Sequence, residues 1–272
     1  MFIAHKNDIP KGTAIALDCF KKQKMASNTG REIRLLSNIC PHQYSIINNN
    51  VQQDKLVCPY HGRTWDIDGS VRPSCEYQSL FSDRTYNQCG LLFDIDIDFK
   101  STFMIPEDMK LVESRTDTVQ ASSDVIMDVF LDVDHIPHAH KDVYNSIGIT
   151  DRFNVAWVMK EWGSIQLAID DNKICAVWIA QYPGTMIEWQ PGALFITQCI
   201  PSEDKKTTNV QVFQYKEIKS TKEEFEENKK IWETAWEQDV NLAQSIVKRL
   251  SQQTGEPGKD HFRAWRSDAV NS

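Results

Sequence analysis

The sequence lacks the features that mark membrane, secreted or nucleic-acid-binding proteins. No apolar run in the 272 residues approaches the length of roughly 18 residues that is needed to cross a bilayer. The N-terminus has no apolar core followed by a small-residue cleavage site, so no secretion signal is predicted. The net charge is -8 without a basic tract, which argues against nucleic acid or an anionic membrane as a partner. We therefore expect a cytoplasmic protein.

Cysteine and glycine motifs exclude two further classes of protein. The seven cysteines are odd in number and, in a reducing compartment, favour thiols or metal ligands over disulfides. No G-x-G-x-x-G follows a predicted strand, and no flavin motif is present. A redox function would therefore need electrons from a separate protein.

The apolar pattern predicts an α+β protein. Residues 1 to about 100 contain short strand-length runs separated by turn residues, and 101–122 have no clear period and are predicted to link two domains. Apolar residues at helical spacing predict a helix over 124–136 that Pro137 ends or kinks. Residues 153–216 predict an antiparallel meander. A long helix is predicted over 221–253, where Thr221 and Glu224 form a capping box.

Two short corners each contain one Cys and one His. The first is Cys40-x-His42 and the second is Cys58-x-x-His61, with fifteen residues between them. Two thiolates and two imidazoles can bind one tetrahedral zinc ion or a [2Fe-2S] cluster with two Cys on one iron and two His on the other. Structural zinc sites usually place both Cys on one knuckle, whereas here each corner supplies one ligand of each kind. The spacing therefore favours the cluster over zinc.

A second candidate metal site follows the predicted short helix. In Asp132-x-x-His135-x4-His140, the helix would place Asp132 and His135 on one face, and the break at Pro137 would let His140 return to the same point. Two His and one distant carboxylate form the facial triad of mononuclear non-heme iron. Asp239 is the predicted third ligand because an acid within the apolar stripe of the long helix is costly unless paired or metal-bound. His138 is the nearest alternative, and His5 is predicted at the surface.

The two corners resemble the Rieske motif, and "CPH", "CPYHG" and "DIDGS" are similar to the Rieske domains of ring-hydroxylating and demethylating oxygenases. Rieske proteins of respiratory complexes carry an extra disulfide, whose positions here are Ser45 and Tyr60. This resemblance implies a [2Fe-2S] cluster of the ferredoxin and oxygenase type, bound by Cys40, His42, Cys58 and His61. Gln43 and Arg63 depart from the residues frequent in the family, where Arg and Trp are common.

The resemblance extends to the second half of the chain. "FLDVDHIPHAH" and "WEQDVNLAQ" are similar to the mononuclear iron pattern of Rieske non-heme iron oxygenases, terminal (alpha) component, in a short form. It implies a Rieske domain over 1–104 and a catalytic domain over 105–272 with a helix-grip, START-like fold. It also implies mononuclear Fe(II) on His135, His140 and Asp239. Asp132 would then carry electrons between His135 and a Rieske His of a neighbouring subunit in a homotrimer.

The family resemblance implies a terminal oxygenase that uses cluster electrons and O2 to hydroxylate or oxidatively demethylate a small organic substrate. A separate reductase or ferredoxin would supply the electrons. A ring-dihydroxylating dioxygenase remains an alternative, as does an electron carrier with an inactive second metal site. The predicted meander holds several tryptophans that either bind a planar or cationic substrate or form sheet core. These are Trp157, Trp162, Trp178 and Trp189.

Overall fold

The computed structural model describes residues 1–48, 50–71, 77–132, 135–141, 143 and 154–254. The chain divides into two compact units, Met1–Glu107 and Asp108–Ser272. Each unit has its own buried apolar residues, and each is described by itself below.

The part of the first unit that the structure describes forms ten short strands and two single turns of 3-10 helix. The strands are β1 (Phe2–His5), β2 (Ala14–Ala16), β3 (Lys24–Asn28), β4 (Ile33–Ser37), β5 (Val51–Gln52), β6 (Lys55–Val57), β7 (Thr64–Asp66), β8 (Ser82–Arg84), β9 (Tyr86–Gln88) and β10 (Leu91–Phe93). They form three antiparallel sheets with the orders β1-β10-β9, β2-β3-β4-β8 and β5-β6-β7. The two Cys-His corners lie in loops beside β4 and between β6 and β7, as the short apolar runs predicted.

His5 corrects one prediction from the sequence. It was expected at the surface, but it is fully buried at the end of β1. Its Nδ1 accepts a hydrogen bond from the backbone N–H of Asn7, and Asp8 bonds back to the His5 N–H, which closes a capping box around the first 3-10 turn. A Cβ on Gly90 would lie 2.7 Å from His5 Nε2, so the ring fits only against a glycine. The sequence offered no sign of this local role.

The described residues of the second unit form seven strands and three helices. They are β11 (Met109–Val119), α1 (Ser123–Leu131), α2 (Ile136–Ala139), β12 (Asn154–Lys160), β13 (Gly163–Asp170), β14 (Lys173–Gln181), β15 (Thr185–Gln190), β16 (Ala193–Pro201), β17 (Thr208–Glu217) and α3, the long helix Lys222–Thr254. The strands form one antiparallel sheet in the order β11-β17-β16-β15-β14-β13-β12. The predicted α+β class, with an antiparallel sheet and a long C-terminal helix, is confirmed.

Helix α3 packs on one face of this sheet. Cross-strand pairing places Trp178, Glu188 and Phe195 in one row on that face. The Phe195 ring stacks on Trp232 of α3 at a centroid distance of 4.9 Å, and Trp232 stacks on Trp236 at 5.9 Å. The predicted capping box is also present, because Glu224 N donates to Thr221 Oγ1 and Thr221 N donates to Glu224 Oε2. Neither α3 nor any other described helix combines the length and apolarity that crossing a bilayer requires.

The linker predicted over 101–122 is wrong for its second half. Met109–Val119 forms β11, an edge strand paired along its length with β17. Its side chains alternate between inward and exposed positions, and the inward ones in the middle of the strand are polar: Glu113, Arg115 and Asp117. The strand has no apolar period because its inward positions form ion pairs and hydrogen bonds rather than apolar contacts.

The helix predicted over 124–136 is shorter than expected. It ends at Leu131, and Asp132 leaves the helical conformation with φ -80° and ψ 85°. The spacing had predicted that Asp132 and His135 share one face of this helix. Because the helix ends before both residues, they do not. Pro137 does not end that helix but lies in the first turn of α2, where the lack of an N–H costs no hydrogen bond.

Candidate metal centres

The two Cys-His loops of the first unit have the same backbone hydrogen bonds. Cys40 N donates to the carbonyl of the residue five positions on, and the N–H four positions on donates back to the Cys40 carbonyl. Cys58 repeats both bonds at the same offsets, to Arg63 and from Gly62. The fourth position after each Cys is left-handed, with φ 56° at Tyr44 and 66° at Gly62. Two loops of matched geometry thus present their cysteines in equivalent ways.

The ligand side chains of these loops lie close together. Cys40 and Cys58 are both buried at 1% exposure, and the His42 and His61 rings are 4.9 Å apart between centroids. Burial raises the pKa of the Cys40 thiol, but at Cys58 the backbone N–H groups of Tyr60 and His61 outweigh burial and lower the pKa. The loop of Cys58 is therefore arranged to stabilise a thiolate, which is the form that binds metal.

A binuclear cluster fits this set better than a single ion. The four ligands of one tetrahedral ion lie within about 4 Å of one another. Among the described residues, no three of these four side chains bring their donor atoms within 4.8 Å of one another, whereas the set in the second unit does. His42 Nδ1 is buried without a hydrogen-bond partner in the described part of the chain, as expected for a nitrogen that faces a metal. The donor set therefore fits a [2Fe-2S] cluster and argues against zinc.

In the second unit, His135, His140 and Asp239 converge on one point. The His135 and His140 Nε2 atoms are 3.0 Å apart, and Asp239 Oδ1 lies 3.1 Å from the first and 2.9 Å from the second. Ligands at right angles around an ion about 2.1 Å away are separated by about 3 Å. The three atoms thus have the spacing of one face of an octahedron, which leaves the opposite face open.

The remaining imidazole nitrogens show which protonation state this triangle favours. His140 Nδ1 donates to Gln238 Oε1 at 2.7 Å, and His135 Nδ1 donates to the backbone carbonyl of Asp132. Each Nε2 then presents a lone pair to the other ring and to the Asp239 carboxylate. Three acceptors at this separation repel unless a cation or additional protons lie between them. The set therefore fits a divalent metal ion.

Three separate elements position the triad. His135 begins α2, His140 follows it, and Asp239 extends from α3 on the face that also carries Trp232, Trp236 and Ala243. Only 12% of the Asp239 side chain is exposed. Burial opposes the charge on this carboxylate. In the metal-free protein, a further proton on the Nε2 of His135 or His140 creates a hydrogen bond to Asp239, which outweighs burial and lowers the pKa of the carboxylate. The Asp239 charge likewise outweighs burial at His135 and raises the pKa of that imidazole.

A small cavity adjoins the triad on the face of the sheet covered by α3. Its lining consists of the three triad residues with Phe130, Ile136, Trp178, Met186, Glu188, Trp232, Ala235 and Trp236. The volume is about 30 Å³, and aromatic rings account for much of the wall. Glu188 is the only acid besides Asp239 among these lining residues of the described chain. Burial raises the pKa of Glu188 to about 7, although a hydrogen bond from Trp232 Nε1 opposes the shift.

Not all residues singled out from the sequence lie at this site. His138 is exposed on α2 and does not join the triad, and Trp157 is 40% exposed on β12. Of the four tryptophans of the meander, only Trp178 lines the cavity. The Asp132 side chain is exposed, and its hydrogen bond with His135 uses the backbone carbonyl. An electron-transfer role for the Asp132 carboxylate stays a prediction.

Two residues at this site were missed from the sequence. Gln238 is adjacent to Asp239 in the chain, and nothing in "WEQDV" indicates that its amide would reach His140. Glu188 gave a weak signal, because "MIEWQ" places an acid on the same strand face as Met186 in an otherwise apolar strand. An acid on the inward face of a strand, like an acid within the apolar stripe of a helix, indicates a functional or paired carboxylate.

Comparisons with known proteins agree with both centres. The sequence model of the Rieske [2Fe-2S] domain matches residues 1–81. Putrescine 2-hydroxylase of Ralstonia nicotianae is 24% identical over 97% of this chain and 87% of that protein. The carnitine monooxygenase oxygenase subunit of Acinetobacter pittii is 23% identical over 80% of this chain and 69% of that protein. A crystal structure of the quaternary ammonium Rieske monooxygenase CntA with L-carnitine superimposes with a TM-score of 0.69 at 15% identity, covering 97% and 83% of the two chains.

The fold and the matched Rieske domain define a Rieske-type protein with a second, sheet-and-helix unit. The chain thus carries a Rieske [2Fe-2S] domain over residues 1–81, and along most of its length its fold is similar to that of Rieske monooxygenases.

Proposed function

We propose that this chain is a terminal oxygenase that hydroxylates or oxidatively demethylates a small organic substrate. The observation that carries the proposal is the triangle of His135, His140 and Asp239, with edges of 2.9–3.1 Å, in a chain that has a Rieske domain. An electron carrier with an inactive second site has no use for three acceptors held at this separation. The arrangement therefore supports an intact iron site next to the cavity.

The two centres would supply different chemistry to the reaction. When bound, the cluster relays single electrons and the mononuclear iron activates O2. A C–H bond, one O2, two electrons and two protons give one C–OH group and one water. When the carbon is an N-methyl group, the resulting N–CH2OH breaks its C–N bond to release formaldehyde and the amine with one methyl group fewer. The electrons come from a separate reductase or ferredoxin.

The residues of the chain orient the ligands and keep water out. Gln238 and the Asp132 carbonyl fix the two imidazoles with Nε2 toward the ion. The Phe130, Trp232 and Trp236 rings line the cavity beside the open face of the triad. An apolar wall limits access of water to the reacting carbon and reduces side reactions.

Electrons are proposed to pass between subunits of a homotrimer, from His61 of one chain through Asp132 to His135 of its neighbour. His61 is exposed, and its ring lies 4.0 Å from that of Tyr60, which is 62% exposed. Tyr44, in the loop of the other corner, is 80% exposed. Exposed aromatic side chains around a redox ligand suit contact with another protein surface. The exposed Asp132 side chain suits the same kind of contact on the second unit.

Iron counting tests the ligand set directly. The reconstituted protein should hold about three irons per chain, two in the cluster and one on the triad. His140→Ala should lose the third iron and keep the visible spectrum of the cluster. His138→Ala is the matched control, since His138 is exposed on the same short helix and should keep all the iron. A His140→Ala protein that retains the third iron would refute the ligand assignment.

Turnover tests the activity. The protein is supplied with a Rieske-compatible reductase and a panel of aliphatic amines, N-methylated amines, methoxyarenes and plain arenes. Oxygen uptake, hydroxylated product and formaldehyde are measured. Coupled uptake with a monohydroxylated or demethylated product supports the proposal, whereas a cis-diol product from arenes would favour a dioxygenase.

A further inference from the structure

Glu188 is the feature of the cavity that the iron chemistry does not use. It lies on β15 between its cross-strand neighbours Trp178 and Phe195, on the face toward α3. Trp232 Nε1 donates to Glu188 Oε1 at 2.9 Å. The same carboxyl group lines the cavity together with the three triad residues. A polar group of this kind in an aromatic wall normally has a binding partner.

The chain itself supplies little positive charge to Glu188. No Lys or Arg is among the cavity-lining residues of the described chain. Asp117 provides an internal comparison, because it also accepts an indole N–H, from Trp236 at 3.2 Å. Asp117, however, is paired with Arg115 at 3.1 Å. Asp117 thus has a cationic partner within the protein, whereas Glu188 faces a cavity.

We propose that Glu188 binds the ammonium group of the substrate, and that this group is a protonated primary or secondary amine. This inference rests on the proposed oxygenase function for the identity of the site. The indoles of Trp232 and Trp178 both donate hydrogen bonds to the Glu188 carboxylate and hold it at the cavity wall. Glu188 and the three triad residues line the same cavity, so an amine bound by Glu188 lies beside the triad.

The charge and the size of the site together select an amine with N–H groups. A carboxylate oxygen accepts hydrogen bonds, which a protonated primary amine can donate and a quaternary ammonium cannot. The cavity volume is about 30 Å³, on a scale where one water-sized group needs roughly 10–15 Å³. An NH3⁺ head fits this space, whereas a trimethylammonium group would have to displace the indole rings. The same size limit disfavours a planar arene.

Binding without turnover tests the proposal. The anaerobic, iron-loaded protein is titrated with n-butylammonium, butyltrimethylammonium and 1-butanol, with tryptophan fluorescence as the readout. We expect n-butylammonium to bind tightest, and Glu188→Gln to weaken it by at least about 30-fold. Gln keeps an acceptor for Trp232, so the substitution removes charge with little change in shape. Asp117→Asn is the matched control, which should alter stability without changing the order of the three ligands.

The outcomes separate this inference from the function on which it rests. Equal affinity of wild type and Glu188→Gln for n-butylammonium, or tighter binding of the trimethylated ligand, would overturn the inference. So would absence of binding by all three ligands. Turnover of neutral substrates that Glu188→Gln leaves unchanged would refute the role of Glu188 and leave the oxygenase function standing. Charge-dependent amine binding without any oxygenation would instead refute the function and keep the amine site.

Discussion

The two candidate metal centres of this chain are built in opposite ways. In the first unit, four ligand side chains come from two loops within 22 residues, Cys40 to His61, and the loops share one backbone pattern. In the second unit, three ligands come from α2, the residue after it and α3, and His135 and Asp239 are 104 positions apart. The first centre is defined by local loop geometry. The second exists only because a helix packs on a sheet.

This difference determines which changes each centre tolerates. At Cys58, burial is opposed first by the backbone N–H groups of Tyr60 and His61, which favour the thiolate. The triad instead depends on side chains that orient it, because Gln238 bonds His140 and the indoles of α3 fix the helix against the sheet. Substitutions around the triad should therefore have larger effects than substitutions around the cluster loops, the ligands excepted.

The largest expected effects come from removing one ligand in each unit. Cys58→Ala should abolish the visible cluster spectrum and leave about one iron per chain. Asp239→Ala should keep the spectrum, leave about two irons and lower turnover by at least about 100-fold. Iron analysis and absorption spectra check both. Loss of both kinds of iron in either variant would show that the two centres do not form independently.

Gln238→Leu should weaken the mononuclear site without removing a ligand. Loss of an outer hydrogen bond to a ligand imidazole typically lowers metal affinity about 10–100-fold. Competition with a chelator measures the affinity. Gln244→Leu is a suitable control, because Gln244 lies on the same helix and its amide accepts from the Gln120 backbone N–H instead. A similar loss in both variants would mean that helix stability, and not the orientation of His140, was changed.

The stability of the metal-free protein should depend on pH through Glu188. Its pKa rises from 4.5 to about 7 because burial, with Asp239 nearby, disfavours the charge. The ionised carboxylate therefore costs stability, and this cost is absent below pH 4.5 and complete above about pH 7. Glu188→Gln should be more stable than wild type at pH 8, by up to about 3 kcal/mol. The gain should shrink steadily toward pH 5.

Urea denaturation at several pH values measures this gain in the free energy of unfolding. A residue placed for binding is expected to reduce stability where it is charged, whereas a structural residue is not. If Glu188→Gln were less stable than wild type at pH 8, Glu188 would hold the sheet and helix together. That result would also weaken the case for an amine site.

The smallest expected effects come from the left-handed positions of the two cluster loops. Gly62→Ala should destabilise the first unit by about 1–2 kcal/mol, since a Cβ there costs backbone energy although it meets no other atom within 4 Å. Tyr44→Gly should relieve a similar strain at φ 56° and change stability by less. Thermal unfolding of the cluster-loaded protein tests both. Equal and opposite shifts would show that the loops are energetically equivalent.

Much of the architecture could be predicted from the sequence, for identifiable reasons. The meander and α3 follow from apolar periods and from the capping box at Thr221, which are local signals. The edge strand β11 could not be predicted, because Arg115 and Asp117 fill its inward positions. Its register depends on pairing with β17, about a hundred residues later in the chain.

The same distinction applies to the candidate sites. Asp239 was identified because an acid in an apolar stripe is visible in one helix. The contact of Gln238 with His140 was not, since it depends on how α2 and α3 pack. The end of the first helix at Leu131 was also not predicted. Beyond it, the backbone carbonyl of Asp132 accepts a hydrogen bond from His135, and a backbone contact of this kind leaves no pattern in the sequence.

The length of α3 has a consequence for how this unit can vary. The helix has 33 residues, but the ones that form the site span only Trp232 to Asp239, about two turns. One residue inserted or deleted between Trp236 and Asp239 would rotate the carboxylate by about 100° relative to the indoles. Seven residues nearly restore the phase. Loops and strands around the cavity can therefore change in length, whereas this stretch of helix must keep its number of residues.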